Sequence, residues 1–392
     1  MEILYLAHRL PYPPNKGEKI RSFHQIRHLA RNHTLHLVSF IDRQEDFQHV
    51  DALRKYCATV DAVYRRPFRS LFRCMWSLAS GVPLTLGYFK SQEILGRVQD
   101  LIKLYEIDRI MVFSSCMVQY VMDYSGIPKV VDLVDVDSEK WTKYSEYKPF
   151  PLSWLYALEG NRLRRYEKAI LEGFAHCVVV SEREATLCHR IVPEKTVSVI
   201  PNGVDIEYYQ PSPNGGQPST LVFTGAMDYF PNVDGMIYFC REIFPKIQKR
   251  VPQVKLYIVG RDPKGSIKEL GKIKGIVVTG EVDDVRPYLH AASVCVVPLR
   301  IACGIQNKIL EAMAMGLPVV ATPSAIQGIC AVPDRDLFVE GSPEKFAGRV
   351  TSLLMDEDLR RHISGTARRL VERNYSWDHP LQHLERLLEI SG

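Results

Sequence analysis

The chain has 392 residues, which is too long for one ordinary hydrophobic core and favours two domains of about 200 residues each. Hydrophobic residues make up 46% and charged residues 24%, as in a soluble globular protein, and no internal repeat or low-complexity stretch is present. The net charge of +5 lies within residues 1–200, since the charges of residues 201–392 cancel. No basic stripe is interleaved with stacking aromatic residues, so nucleic-acid binding is not expected.

The sequence also bears on location. No run of 18 apolar residues is present, so a spanning helix is not expected. The chain begins directly as a strand without a basic leader, which argues against a signal peptide. The nine cysteines are odd in number and contain no C-x-x-C pair, as expected of reduced, buried thiols. We therefore expect a cytoplasmic protein.

Apolar runs of strand length alternate with helical patterns along the whole chain. Such alternation predicts an α/β fold with doubly wound parallel sheets, and runs that are apolar throughout suit sheets covered on both faces. The proline- and glycine-rich stretch Pro211–Ser219 is predicted as the linker, and Trp377–Ile390 as a final helix. The predicted strands are Ile3–Ala7, Leu35–Phe40, Ala62–Tyr64, Ile110–Phe113, Val130–Leu133, Cys177–Val180, Thr220–Thr224, Lys255–Val259, Gly275–Thr279, Val294–Val297 and Pro318–Ala321.

The first predicted strand leads into a candidate ligand loop. Gly17 would let the backbone approach a ligand closely, and Arg21 lies one turn into the following helix. His8 ends the strand beside this loop, whereas the other histidines of the first forty residues form no ligand set. The alternative is a plain strand–helix turn with solvated charges.

A run of acids, Asp132–Ser138, overlaps and follows the predicted strand Val130–Leu133. Asp135 and Asp137 would lie at the carboxyl end of that strand, where ligands bind in open α/β sheets. They could hydrogen-bond hydroxyls of a ligand, act as a general base, or hold Mg²⁺. The alternative is that Asp137 or Ser138 caps the next helix.

The most informative segment is Val297–Thr322. An apolar strand ends in a short loop carrying Gly304, a helix is predicted over Ile305–Met315, and a second strand follows. Gly316 stands where a left-handed C-cap belongs. The loop therefore lies at the carboxyl end of a parallel strand.

The chemistry of this segment suits a nucleotide sugar. The amides of Gly304 to Gln306 would point out of the helix N-terminus towards a phosphate. Lys308 and Glu311 are three residues apart and share one helix face. Lys308 would bind the diphosphate and Glu311 the ribose hydroxyls. A solvated Lys–Glu pair on an amphipathic helix is the alternative.

Five motifs, in this order, resemble those of the retaining glycosyltransferases of family 4. That family has the GT-B architecture, in which two Rossmann-like domains face a cleft. The residues of several motifs also resemble those of sugar transferases of bacterial exopolysaccharide and exosortase (PEP-CTERM) systems. The motifs are Val180–Glu184, Ile200–Asp205, Phe223–Asp228 with Pro231–Asn232, Val278–Val282, and Glu311–Gly316, which matches the second half of the family's nucleotide-sugar signature.

The resemblance implies two domains and a role for each. Residues 1–205, completed by 377–392, would face the acceptor, and residues 206–376 would bind the donor. The expected acceptor-side residues are His8, Gly17, Arg21 and Ser138, and the expected catalytic residues are Asp135, Asp137, Lys308 and Glu311. The expected donor-binding residues are Gly225, Arg261, Gly280, Val282, Arg300, Cys303, Gly304, Ile305, Gln306 and Asn307.

The chain departs from the family pattern at two places. Cys303 stands where the first glutamate of the signature belongs. The loop after Gly225 lacks the arginine and lysine that often neutralise the leaving diphosphate, and its Asn232 is predicted to cap the next helix. Lys308 is the best substitute for the missing cations, with Arg261 and Arg300 as weaker ones.

A segment in the first half predicts contact with a membrane surface. Tyr64–Leu78 interleaves arginines with large apolar residues at helical spacing, and its Pro67 is a natural first helical residue. Such a helix can lie in a bilayer interface. The arginines are Arg65, Arg66, Arg69 and Arg73. The alternative is that the apolar face packs on the sheet.

The expected function is transfer of a sugar, with retention, from a nucleotide-diphosphate sugar to a glycan acceptor, expected to be lipid-linked, in exopolysaccharide biosynthesis at the inner face of the plasma membrane. No cofactor or metal is expected, because the signature places the nucleotide in the second domain, away from Asp135 and Asp137. The alternatives are a nucleotide-sugar 2-epimerase and a catalytically silent nucleotide-sugar-binding subunit. A dinucleotide dehydrogenase is disfavoured, because no G-x-G-x-x-G follows a strand.

Overall fold

The computed structural model describes residues 1–14, 17–211, 216–302 and 304–390, and for residues 67–71 it describes the backbone alone. The chain forms two compact units. Unit 1 comprises Met1–Pro201 and Pro380–Gly392, and unit 2 comprises Asn202–His379.

Unit 1 is built on a seven-stranded sheet with order β3-β2-β1-β4-β5-β6-β7, and the paired strands are parallel. Short 3-10 turns occupy Gln44–His49 and Ser115–Tyr120. The strands are β1 (Glu2–Ala7), β2 (Thr34–Ile41), β3 (Thr59–Tyr64), β4 (Arg109–Phe113), β5 (Lys129–Val134), β6 (His176–Val179) and β7 (Val197–Val199). The helices are α1 (Gly17–Leu29), α2 (Val50–Leu53), α3 (Pro67–Ser80), α4 (Leu84–Tyr88), α5 (Gln92–Leu104), α6 (Asp137–Tyr147), α7 (Leu152–Gly173) and α8 (Glu182–Ile191).

Unit 2 repeats this plan with a six-stranded parallel sheet of order β10-β9-β8-β11-β12-β13. A π-helical turn, Phe239–Ile243, joins its first two helices. The strands are β8 (Thr220–Thr224), β9 (Lys255–Val259), β10 (Ile276–Gly280), β11 (Val294–Val297), β12 (Val319–Ala321) and β13 (Phe338–Val339). The helices are α9 (Phe230–Tyr238), α10 (Phe244–Arg250), α11 (Gly265–Leu270), α12 (Arg286–Ala291), α13 (Asn307–Ala314), α14 (Pro343–Met355) and α15 (Glu357–Asn374).

The strands form where uninterrupted apolar runs can be covered on both faces. Ile3–Ala7 in β1 and all of β11 are buried, which is the pattern of a parallel sheet between helical layers. The expected α/β class and the two parallel sheets are confirmed. Two strands were not predicted, β7 and β13, because they have only three and two residues.

In each sheet the chain order reverses at one point, between β1 and β4 in unit 1 and between β8 and β11 in unit 2. Helices leave in opposite directions there, so a crevice opens outside the carboxyl ends of the two central strands. Each unit therefore offers one position at which a ligand is expected to bind.

The C-terminal helix α16 (Asp378–Ile390) packs on unit 1. The carbonyl of Leu388 accepts a hydrogen bond of 2.7 Å from Arg109 Nε. The Glu385 carboxylate contacts His28 Nε2 at 3.0 Å and His33 Nε2 at 3.1 Å. These contacts attach the end of the chain to the sheet and the first helix of unit 1.

The stretch Pro211–Ser219, predicted as the linker, belongs to unit 2. Gln217 N donates to the carbonyl of Ala291 at 2.9 Å, and Ser293 Oγ donates to the carbonyl of Gln217 at 2.6 Å. These bonds tie the second half of the stretch to the turn between α12 and β11, and residues 212–215 lie outside the described part. The units divide instead between Pro201 and Asn202.

The glycine of the Pro201–Asn202–Gly203 motif is required by a close approach. A Cβ on Gly203 would lie 2.7 Å from Trp377 Cδ2 and 2.9 Å from Trp377 Cα. Val204 N donates to the carbonyl of Tyr375 at 2.7 Å. The first and last segments of unit 2 therefore run side by side, and a side chain at position 203 would separate them.

Candidate functional site

The carboxyl edge of the unit 2 sheet is a set of loops hydrogen-bonded to one another. Gly225 N donates to the carbonyl of Val259 at 3.0 Å, and Gly260 N donates to the carbonyl of Gly280 at 3.1 Å. A Cβ on Gly260 would lie 1.8 Å from the carbonyl oxygen of Gly225, so no other residue fits there. The three loops after β8, β9 and β10 are thus fixed as one platform.

Lys308 lies at the centre of this edge. Its Nζ donates to Asn232 Oδ1 at 2.7 Å and stands 4.2 Å from the centre of the Phe223 ring, a cation–π contact. Asn232 Nδ2 donates to the carbonyl of Ala226 at 2.8 Å, which turns its oxygen towards the lysine. The helix α13 supplies the lysine and α9 its partner, so the β8–β11 reversal point brings them together.

Gly225 is the neighbour that this arrangement requires. Its φ is +152°, and a Cβ there would lie 2.9 Å from Lys308 Nζ and 2.8 Å from Asn232 Nδ2. A side chain at position 225 would therefore push the ammonium group out of place. The absence of a Cβ also leaves backbone accessible next to the cation, as a bound phosphate needs.

Asn232 does not cap a helix, contrary to the prediction. The helix α9 begins at Phe230, with Tyr229 as its N-cap. Asn232 is 5% exposed. Its amide nitrogen donates to the carbonyl of Ala226, and its amide oxygen accepts from Lys308 Nζ. Its role is to position the lysine.

Glu311 lies one turn along α13 from Lys308 and is half-buried. Burial raises the pKa of its carboxyl to about 7, although Lys308 and a hydrogen bond from the Tyr209 side chain lower it. Burial likewise lowers the pKa of Lys308 to about 8, although Cys295 and Glu311 raise it. Burial therefore disfavours the charged form of both groups, as expected of side chains that bind a polar ligand.

The helix α13 begins later than predicted. Its first residue is Asn307 and its N-cap is Gln306, which makes no side-chain capping bond. The segment Gly304–Gln306 is therefore loop, with Gly304 at a φ of +66°. Gly316 does adopt the left-handed conformation predicted for the helix end, with a φ of +66°.

The other expected donor-binding residues of this loop differ in which of their atoms could contact a ligand. Asn307 Oδ1 accepts a bond of 3.2 Å from Asn202 Nδ2, which ties the helix start to the first residue of unit 2. The Ile305 side chain is buried in the core, so only its backbone is available to a ligand. Gln306 Nε2 donates to the carbonyl of Gly304 at 3.3 Å. Cys303 lies outside the described residues.

Arg300 is not free to serve the donor as predicted. Its Nε donates to Asp234 Oδ2 at 2.9 Å, its Nη2 contacts the other carboxylate oxygen, and the guanidinium stands 5.1 Å from the Tyr238 ring centre. This bidentate pair holds the guanidinium against Asp234. Arg261 is less constrained, with its guanidinium 3.8 Å from Asp262.

The remaining expected donor residues belong to the loop after β10. Gly280 has a φ of +75°, and a Cβ there would meet nothing within 4 Å, so backbone conformation alone requires glycine. Val282 packs against the core of unit 2.

The carboxyl edge of the unit 1 sheet carries acids and a histidine. Burial, together with the neighbouring Glu184 and Asp137 carboxyl groups, raises the pKa of Asp135 to about 6. Burial also raises the pKa of Asp137, whose Oδ2 accepts a bond of 3.0 Å from Ser115 Oγ. Asp135 Oδ1 is buried and has no hydrogen-bond partner among the described residues. A hydroxyl of a ligand would satisfy it.

The backbone under these acids is strained. Val134 has a φ of +67°, a conformation in which a β-branched residue is an outlier, and Ser114 at the end of β4 has a φ of +80°. Val134 N donates to Asp132 Oδ1 at 3.0 Å, which holds the turn. Such strain clusters at functional sites, and here it lies directly before Asp135.

His8 ends β1 at the reversal point. Its ring stacks on Phe113 at 5.9 Å and meets Phe89 edge to face at 5.8 Å. Burial lowers the pKa of His8 to about 4, so the ring is neutral at pH 7. Its Nδ1 has no hydrogen-bond partner among the described residues. A neutral imidazole of this kind can exchange hydrogen bonds with a sugar hydroxyl.

Arg21 was predicted on the acceptor side, and that prediction is wrong. The residue is 0% exposed, and its Nε pairs with Asp132 Oδ2 at 2.7 Å. Gln25 Nε2 donates to the same oxygen at 2.6 Å, and Gln25 Oε1 accepts a bond of 2.6 Å from the Tyr5 hydroxyl. Arg21 therefore belongs to a polar network in the core, while Gly17 begins α1 and Lys16 lies outside the described residues.

Ser138 is also structural. It is 4% exposed, its N donates to Glu167 Oε1 at 2.9 Å, and its hydroxyl bonds the other oxygen of that carboxylate. The N-cap of α6 is Val136, so neither Asp137 nor Ser138 caps the helix through its side chain. Glu167 from α7 accepts a hydrogen bond from the amide of Ser138 at the helix start instead, a role that local sequence does not reveal.

Comparison with known proteins agrees with the fold and adds a family match. Solved structures with both parallel-sheet domains match along the whole chain: sucrose-phosphate synthase from Thermosynechococcus elongatus (TM-score 0.72, 15% identity, 99% of this chain and 98% of that one), HepE from Anabaena in complex with UDP-glucose (0.69, 16%, 99% of each), and WaaG, a glycosyltransferase involved in lipopolysaccharide biosynthesis (0.65, 18%, 99% of each). The fold is therefore that of the GT-B glycosyltransferases, as the resemblance implied.

Within unit 2, residues 218–356 match the family model of group 1 glycosyl transferases. A phosphatidylinositol N-acetylglucosaminyltransferase gpi3 subunit of Schizosaccharomyces pombe is 24% identical over 63% of this chain and 55% of its own length. A GDP-mannose-dependent monoacylated alpha-(1-6)-phosphatidylinositol monomannoside mannosyltransferase of Corynebacterium glutamicum is 26% identical over 50% of this chain and 56% of its own length. The chain spans about half the length of the curated relatives it matches.

Proposed function

We propose that the chain is a metal-independent glycosyltransferase that moves a sugar, with retention of configuration, from a nucleotide-diphosphate sugar to a lipid-linked glycan in exopolysaccharide biosynthesis. The observation that carries the proposal is the group formed by Lys308, Asn232, Gly225 and Glu311 at the reversal point of unit 2. The group 1 match covers these residues. The activities of the relatives are consistent with sugar transfer to lipid-linked acceptors.

In this proposal the donor diphosphate binds to Lys308. The anion would lie against the ammonium group, the accessible backbone of Gly225 and the N-terminal end of α13, where the helix dipole favours negative charge. Glu311 would accept hydrogen bonds from the ribose hydroxyls. Each contact satisfies a group that burial alone makes unstable in its charged form.

The chemistry requires stabilisation of the departing charge. As the sugar–phosphate bond breaks, the nucleotide diphosphate gains negative charge and the sugar becomes oxocarbenium-like. A preorganised ammonium group and helix terminus meet that charge without reorganisation, so a metal ion is not required. Among the described residues, one group of His, Cys, Asp and Glu side chains lies close enough together to share an ion. Asp135 and Asp137 are not part of that group.

Unit 1 would supply hydroxyl-binding groups for the acceptor. His8 is neutral at pH 7 and Asp135 is largely ionised there, so both can accept a hydrogen bond from an acceptor hydroxyl. An Asp with a pKa near 6 is also a better proton acceptor than an ordinary carboxylate. We assign His8, Asp135 and Asp137 to this role, and withdraw it for Arg21 and Ser138.

The test is a thermal-shift panel of UDP, GDP, ADP and dTDP, followed by product analysis with the matching nucleotide sugar and lipid-linked oligosaccharides. We expect stabilisation by one nucleotide and a lengthened acceptor whose formation EDTA does not prevent. Release of an epimer without an acceptor would indicate a 2-epimerase. Binding without any product would indicate a silent nucleotide-sugar-binding subunit. No stabilisation by any nucleotide would contradict the proposal.

A further inference from the structure

The helix α3 turns large apolar side chains outward. Phe72, Met75 and Trp76 are 71%, 65% and 73% exposed, and their spacing places them on one face. The alternative in which this face packs on the sheet is wrong for these three residues. Contiguous exposed apolar groups of this size mark an interaction surface. No helix among the described residues is long and apolar enough to cross a bilayer.

Two of the four arginines expected to accompany this face, Arg65 and Arg73, hold the fold instead. Arg65 is 9% exposed and pairs with Asp42 at 2.5 Å. Arg73 Nη1 donates to the carbonyl of Lys90. The side chain of Arg69 lies outside the described residues. The membrane prediction is therefore corrected for Arg65 and Arg73, while Arg66 is exposed as predicted, because local spacing cannot show which arginines have partners.

A groove of about 740 Å³ begins where α3 ends. Gly81, the left-handed C-cap of α3, forms part of its lining. Five cations line it, and among the described lining residues none is acidic. Those cations are Arg162, Arg164, Arg165 and Lys168 of α7 and Arg190 of α8.

One of these cations joins the groove to α3. Arg162 Nη1 donates to the carbonyl of Ser77 at 3.0 Å, and its Nη2 donates to the carbonyl of Leu78 at 2.9 Å. The guanidinium thus caps the C-terminal end of α3. Arg164, Arg165 and Arg190 are exposed. The apolar face and the cationic groove therefore adjoin each other through a fixed contact.

We propose that the exposed face of α3 and this groove together bind the surface of an anionic phospholipid bilayer. Bulky apolar side chains beside clustered cations suit an interface in which hydrocarbon lies next to headgroup phosphates. A nucleic acid or an acidic protein would use the cations but not the isolated apolar helix face. Binding is reversible, and it would bring the enzyme to the lipid-linked acceptor of the proposed function.

The test is co-sedimentation with vesicles of phosphatidylcholine, alone or mixed with phosphatidylglycerol, at low and high salt. Binding should require phosphatidylglycerol and weaken with salt. Each cation contributes about fivefold in affinity, so Arg164→Gln, Arg165→Gln and Arg190→Gln together should lower it by about 100-fold. Phe72→Ser with Trp76→Ser should lower it as well.

The control variant carries Arg43→Gln, Lys55→Gln and Lys103→Gln, three exposed cations of unit 1 outside the groove. It has the same net charge as the groove variant and should bind vesicles like the wild type. Equal losses in the two triple variants, absence of binding by the wild type, or binding to heparin but not to vesicles would overturn the inference. Nucleotide-induced thermal shifts should be unchanged in all variants, so a failure here is distinct from a failure of the proposed function.

Discussion

Both sheets are parallel and reverse their strand order once. The loops at the two reversal points carry side chains of different charge. In unit 2 the point next to β8 and β11 holds a cation, Lys308, on a glycine-rich platform with Glu311 one turn away. In unit 1 the point next to β1 and β4 holds a neutral imidazole, His8, near carboxyl groups whose pKa values are raised. In the proposed function, the same topology would therefore serve an anion in one unit and hydroxyls in the other. The side chains after each strand, rather than the fold, assign the ligand.

The largest effect is expected at the cation of unit 2. Lys308→Ala removes the group that meets the charge on the departing diphosphate, so the maximal rate should fall by about 100- to 1,000-fold. Donor affinity should fall less, because the contact strengthens in the transition state. Steady-state kinetics with the nucleotide sugar provide the measurement. Lys268→Ala, an exposed lysine of the same unit, is the control. A Lys308→Ala enzyme whose only defect is a raised KM would contradict the assignment.

Glu311 should have a smaller effect of the same kind. Glu311→Ala leaves ribose hydroxyls without acceptors, at a cost of about 1–3 kcal/mol, or roughly 10- to 100-fold in kcat/KM. Circular dichroism should show an intact fold. Unchanged kinetics in a folded Glu311→Ala protein would show that this carboxylate does not face the donor.

A substitution at Asp135 tests whether the carboxyl edges of the two sheets bind different substrates. Asp135→Asn should lower turnover by about tenfold while nucleotide binding stays the same, since unit 1 serves the acceptor. In the wild type the rate should fall as the pH drops through about 6, because the raised pKa protonates the carboxylate there. The Asn variant should lack this limb. A loss of nucleotide affinity in Asp135→Asn would contradict this assignment, because Asp135 would then contribute to donor binding.

The pH dependence of donor binding gives the smallest and most specific signal. Lys308 loses its proton above its pKa of about 8, and Glu311 gains one below its pKa of about 7, so affinity should peak between these values and fall by up to tenfold per pH unit on either side. The nucleotide sugar is the suitable probe, because neither of its phosphates is terminal. Lys308→Arg should remove the alkaline limb and Glu311→Gln the acidic one. A flat profile in the wild type would contradict the account of both residues.

Sequence patterns predicted the features that depend on local spacing. The alternation of apolar runs predicted both parallel sheets, and the three-residue spacing of Lys308 and Glu311 predicted their common helix face. Contacts between distant residues could not be predicted. Asn232 contacts Lys308 across 76 residues because β8 and β11 are neighbours, and Arg21 pairs with Asp132 across 111 residues within the core. A cation after a glycine loop has the same sequence pattern whether it faces a ligand or a buried carboxylate.

The assignment of the donor to unit 2 is tested most directly by isothermal titration of the preferred nucleoside diphosphate. Three proteins are compared: the wild type, Lys308→Ala with Glu311→Ala, and Asp135→Asn with Asp137→Asn. We expect the wild type and the unit 1 variant to bind with equal affinity, and the unit 2 variant to bind at least 100-fold more weakly. Retained binding in the unit 2 variant together with lost binding in the unit 1 variant would contradict the account.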